Sequence, residues 1–230
     1  MQGVNAKSLH GIDVSRWQGI IDWQSVKKDN IQFAYIKASE GRTVVDPRFV
    51  SNILGARAAG VSVGAYHFAR PDINTRAADA LEEARNFIDT MQKGFGSRDF
   101  GDIYPVLDLE VPAAKKESAL TTTELLSWAD TFRTYFQRKT RRCLMLYTGS
   151  YFIKEHSNFN HPTPGNPLAD MPLWIAMYPL VKGNPGFPQD IGSWTRWTVW
   201  QYSNLGKVSG ISGNVDLNWA APELLDLARF

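Results

Sequence analysis

Phe33-Ala-Tyr-Ile-Lys-Ala38, then Asp46-Pro47, then Val61-Ser-Val-Gly-Ala-Tyr-His-Phe68 decide how this chain folds. The two outer stretches are short apolar runs rich in β-branched and aromatic residues, and they read as buried strands. Between them, Asp46-Pro47 has the form of a helix N-cap followed by proline at the first helical position. Phe49, Ile53 and Ala56 then fall on one stripe, and Gly60 stops the pattern. Strand, helix and strand in succession make a βαβ unit, whose strands are parallel and whose crossover is right-handed.

The rhythm extends both ways. Ser8 to Val14 reads as a first strand, with Asp22 capping a helix that begins Trp-Gln-Ser-Val. After Phe68 a helix carries Ala77, Leu81, Ala84, Ile88 and Met91 at helical spacing, with Gly94 as its stop. A strand follows at Tyr104-Pro-Val-Leu-Asp108-Leu-Glu110. Thr121-x-x-Glu124 is a capping box, opening a helix with Leu125, Trp128, Phe132 and Phe136 inward. Cys143-Leu-Met-Leu-Tyr147 reads as the fifth strand. Leu173 to Tyr178, Trp197 to Tyr202 and Asn214 to Leu217 complete eight, but their connectors are Gly/Pro/Ser-rich and lack helical periodicity. The expected fold class is α/β: an irregular (β/α) barrel, one domain over residues 1–230.

In such a barrel the carboxyl ends of the strands build the active site. Asp13, Lys37, Glu40, Tyr66, Asp108, Glu110, Tyr147, Trp174, Tyr178, Gln201 and Asp216 converge there. Asp108 and Glu110, two apart on a strand, share a face with Cα atoms about 6–7 Å apart. Two carboxylates so close repel, and one of them keeps its proton at neutral pH. Acid-catalysed cleavage of a glycosidic bond uses such a pair. Strands one and eight adjoin in a closed barrel, setting Asp13 beside Asp216.

Composition narrows the choice. A net charge of +2 with no large basic cluster gives no sign of nucleic acid. The hydrophobic fraction of 43% supports a large core, and 8 tryptophans also suit the apolar faces of sugar rings. A lone cysteine, Cys143, excludes an intrachain disulfide and reads as an inert core thiol. The four histidines, His10, His67, His156 and His161, have no metal-ligand spacing, so no metal or cofactor is expected. No apolar stretch reaches membrane-spanning length, and the first residues lack the apolar region of an export signal.

The motifs together resemble glycoside hydrolase family 25, the Chalaropsis-type lysozymes. They are Gly11-Ile-Asp-Val-Ser-Arg-Trp-Gln18, Ile36-Lys-Ala-Ser-Glu-Gly41, Gly64-Ala-Tyr-His-Phe68, Asp108-Leu-Glu110, Tyr147-Thr-Gly149, Leu173-Trp-Ile-Ala176, Trp200-Gln-Tyr202 and Val215-Asp216. The resemblance implies a flattened barrel with eight strands and about five helices. It also implies an N-acetylmuramidase, cleaving the β-1,4 bond between N-acetylmuramic acid and N-acetylglucosamine in peptidoglycan. Carried over by position, Glu110 is the general acid and Asp108 assists the 2-acetamido group. Asp13 and Asp216 are the other acidic positions. Direct attack by Asp108 or Asp13, or an inverting water, stays open.

The other site residues have competing roles. Lys37 and Glu40 are either substrate contacts or a rim ion pair, and Trp174 is either a sugar platform or core. Tyr66 and Tyr147 read as site residues, Trp17 and Trp23 as packing, and His67 as a structural histidine facing away from the mouth. The expected partner is a peptidoglycan glycan strand, with no nucleic acid, no membrane and a monomeric enzyme. Such an enzyme acts on the cell wall, whether secreted or delivered by spore or phage. The alternatives are a non-catalytic wall-glycan-binding barrel and a chitinase-like hydrolase. The long connectors Ser157 to Met171, with Pro162, Pro164 and Pro167, and Lys182 to Arg196 are candidates for shaping a cleft wall.

Overall fold

The computed structural model describes residues 1–71, 77–110, 120–160, 165–179 and 187–225. Its strands are β1 (Leu9–Val14), β2 (Phe33–Glu40), β3 (Val44–Val45), β4 (Ser62–Phe68), β5 (Val106–Asp108), β6 (Met145–Gly149), β7 (Leu173–Ala176), β8 (Val199–Gly206) and β9 (Val215–Ala220). The helices α1 (Trp23–Lys28), α2 (Phe49–Ala58), α3 (Ala77–Phe95), α4 (Thr122–Thr140) and α5 (Ser150–Glu155) fill the connections up to β7. The strand order β1-β9-β8-β7-β6-β5-β4-β2 closes through a β1–β2 pairing into an eight-strand barrel, with β3 as a short antiparallel addition to β2.

An all-parallel sheet does not hold at the last strand. β9 runs antiparallel to both β8 and β1. It follows β8 through a hairpin-like return instead of a helical crossover, so no parallel crossover is available to it. Asp216 therefore stands near the start of its strand, yet at the same mouth as the ends of the parallel strands. Its register partner on β1 is Asp13.

The interior is filled by Leu9, Phe33, Tyr35, Val106, Met145, Trp174 and Val199. Gly11 and Gly64 make room for two of these rings: a Cβ at either would stand 2.4 Å from Phe33 or Tyr35. A second apolar layer lies outside the strands, where α3 and α4 press Ala84, Phe87, Met91, Trp128, Phe132 and Phe136 against the barrel. The Thr121–Glu124 capping box opens α4 as expected, and its four expected inner residues are buried.

Local departures are small. Asp46 does not cap α2 directly: its Oδ1 accepts from Arg48 N at 2.8 Å, and the helix begins at Phe49. α3 runs past Gly94 to Phe95, with Gly96 at φ +118° after it. Cys143 is exposed, because β6 begins only at Met145. Pro162, Pro164, His161 and residues 182–186 lie outside the described residues.

Candidate active site

The strand ends converge on a cavity of about 330 Å³ whose lining includes Asp13, Lys37, Tyr66, Asp108, Glu110, Tyr147, Trp174, Tyr178, Gln201 and Asp216. Ten of the eleven expected site residues are thus brought together. Glu40 is the exception, being absent from the lining. It accepts from Lys37 Nζ at 2.7 Å and from Arg70 at 3.0 Å, so the ion-pair role describes it.

How Lys37 and Glu40 come to face one way is a matter of backbone. Strict alternation would put residues three apart on opposite faces. Between Lys37 and Ser39 the β2–β4 register shifts. Ala38 and Ser39 both turn outward: Ala38 joins the outer core, and Ser39 Oγ lies 2.8 Å from His67 Nδ1. The bulge leaves Lys37 at the cavity with Glu40 beside it. His67 is fully buried, faces away from the mouth as expected, and meets Glu83 Oε2 at 2.9 Å through Nε2.

The floor is a hydrogen-bonded set of side chains, all buried but Tyr178. Asp13 Oδ2 accepts from Gln201 Nε2 at 2.9 Å and from Asn218 Nδ2 at 2.7 Å. Gln201 Oε1 in turn accepts from the hydroxyls of Tyr147, at 2.9 Å, and Tyr178, at 2.8 Å. Asn218 Oδ1 accepts from Trp174 Nε1 at 2.9 Å, and Trp174 stacks on Tyr35 with centroids 4.6 Å apart. Trp174 is therefore both core and cleft lining. Asn218 was not anticipated: it is a small polar residue within an apolar run, and only its pairing with β1 gives it meaning.

All four carboxyl groups are held above their usual pKa. Burial comes first for Asp13, followed by the charge of Asp216. Asp216, its register partner across the β1–β9 pairing, is raised too, by its own burial first. Asp108 is raised strongly, by burial and then by Glu110. Its Oδ1 is buried with no hydrogen-bond partner among the described residues. Glu110 is exposed as a residue, yet the surrounding walls remove enough water to raise its pKa, and Asp216 adds to this. The repulsion between Asp108 and Glu110 adds to burial in raising the deeply buried Asp108. Lys37 opposes the rise at both.

Trp17 also departs from its expected packing role. It is 77% exposed and lines the cavity, whereas Trp23 is buried. The tryptophan sits in a turn just past β1, where no strand or helix periodicity signals its direction.

A sequence profile of glycosyl hydrolases family 25 matches residues 12–211. The chain belongs to that family. It is 38% identical to lysozyme M1 of Streptomyces globisporus, over 98% of this chain and 73% of the relative. Among solved structures, it superposes on the spore cortex-lytic enzyme SleM of Clostridium perfringens with a TM-score of 0.90 and 43% identity. That match covers 98% of this chain and 71% of SleM. The lysozyme of Streptomyces coelicolor matches with a TM-score of 0.76 and 36% identity, over 97% of this chain and 98% of that one.

Proposed function

We propose that this family 25 hydrolase is a muramidase, with Glu110 as general acid and Asp108 as the group that assists the 2-acetamido side chain. It cleaves the β-1,4 bond on the reducing side of N-acetylmuramic acid, as a single barrel domain acting on wall glycan outside the cytoplasm. The single observation that carries the assignment of roles is Asp108 Oδ1, a buried carboxylate oxygen without a donor among the described residues, next to a second carboxyl that is raised and open to the mouth. A buried unsatisfied acceptor is costly. An amide N–H of the substrate would satisfy it.

Glu110 gives its proton to the leaving glycosidic oxygen, and the bond from that oxygen to the anomeric carbon breaks. The acetamido oxygen of the same sugar forms the new bond to that carbon, while its N–H is held by Asp108. The resulting oxazolinium cation lies among carboxylates that stabilise positive charge. Water then attacks the anomeric carbon, losing a proton to Glu110, and the ring opens back to the acetamido group. Substrate assistance of this kind is a recognised exception to the two-carboxylate schemes.

Two inversions at one carbon retain configuration. Proton NMR of a soluble muramyl glycan during early digestion should show the β-anomer as the first product. An α-anomer formed first would mean a water attacks directly, and would remove the assisting role from Asp108.

A further inference from the structure

One lip of the cleft carries a tryptophan that folding does not explain. An aromatic of this size normally buries about 150–250 Å², but Trp17 is 77% exposed. It is nonetheless held firmly. Ser15 and Gln18 form a reciprocal capping box around its turn, with Trp17 N donating to Ser15 Oγ at 3.3 Å and Ser15 N donating to Gln18 Oε1 at 2.9 Å. The next anchor is Asp46, itself buried, whose Oδ2 accepts from Arg16 N at 2.9 Å. The Arg16 guanidinium lies 4.9 Å from the indole centroid and covers one face. With one face covered by Arg16, most of the side chain still lies in solvent, and Trp17 is among the residues that line the cavity.

We propose that Trp17 is a stacking platform for a pyranose ring of the glycan strand, lying beyond the two sugars whose bond is broken. This rests on the muramidase reading and adds to it a binding position outside the reacting centre. The occupant follows from continuity. The cavity is lined chiefly by carboxylates, phenols and amides, and Trp17 is an apolar plate at its edge. A pyranose presents a flat face of C–H bonds that suits an indole, while its edge hydroxyls stay in water. A polymer threaded through the mouth brings its next ring to that lip. A contact far from the scissile bond is made equally in ground and transition states, so it lowers KM and leaves kcat little changed.

The test compares wild type, Trp17→Ala and Trp17→Phe on peptide-free glycan strands of graded length. The alanine variant should raise KM several-fold on long strands, progressively less as the strand shortens, with kcat moving far less. The phenylalanine variant should recover most of the loss. In parallel, titration with N-acetylglucosamine oligomers should change tryptophan emission in wild type, with that change diminished in Trp17→Phe. Three results would overturn the proposal: a KM penalty independent of length, a loss confined to kcat, or a penalty seen only on peptide-bearing wall, which would point to a stem-peptide contact. Wild type that cleaves no glycan would instead refute the muramidase reading, and the emission titration would still judge the platform.

Discussion

The charges of Asp216 and Lys37 pull the Glu110 carboxyl in opposite directions, and the difference can be measured. Asp216 is the charge that helps keep Glu110 protonated, after burial itself. Neutralising it by Asp216→Asn should lower the pKa of Glu110. The general acid would then lose its proton at lower pH, so the alkaline limb of the kcat/KM profile should move acidward. Lys37 works in the opposite sense, and Lys37→Met should move the same limb to higher pH. An unmoved limb in both variants would separate Glu110 from the rate. Asp108→Asn should lower turnover, because its oxygen is placed for a substrate N–H. The four carboxylates were legible in the sequence because each ends or begins an apolar run. Which charge governs which was not, since strand spacing says nothing of depth.

Among the elements, the bulge in β2 is the device that sequence periodicity could not show. Lys-Ala-Ser-Glu reads as plain alternation, and only the Ser39–His67–Glu83 chain outside the barrel reveals that two successive residues turn outward. Ser39→Ala removes the hydroxyl that ties the bulge to His67. It should shift the alkaline limb in the direction of Lys37→Met, and the double variant should shift little further, with Ser39→Thr restoring the profile. A lowered melting temperature with an unmoved profile would make the chain structural only. Helix α3 presents a second buried acid: Asp79, 2% exposed, has its pKa pushed up to about 6 by burial and then by Glu83. A carboxyl raised on folding contributes least where it must ionise, so stability should fall as pH rises from about 4 to about 6. Asp79→Asn should flatten that fall, by roughly 2–3 kcal/mol across the window. Equal pH dependence of unfolding in both proteins would contradict it. The helices themselves were legible, since apolar stripes and the Thr121 capping box are local signals, whereas the start of α2 slipped by two residues because Asp46 is shared with Arg16 N.

Eight apolar runs, with helices confined to the early connections, were enough to expect a barrel. The direction of β9 was not available from them. A run of four to six residues looks the same in either sense, and only closure against both β8 and β1 fixes it. That reversal is what brings Asp216 to the mouth and completes the acid cluster. Trp17 escaped for the related reason that exposure is a property of the assembled lip. In the proposed reaction this mouth cuts glycan on the reducing side of muramic acid by proton donation from Glu110. The direct measurement is digestion of purified peptidoglycan by wild type and Glu110→Gln, with new reducing ends reduced and identified by mass spectrometry. N-acetylmuramic acid ends should accumulate with wild type and fall by about 10²–10⁴-fold with the variant, at an unchanged melting temperature. N-acetylglucosamine ends, freed peptides on intact glycan, or a Glu110→Gln variant near wild-type activity would contradict it.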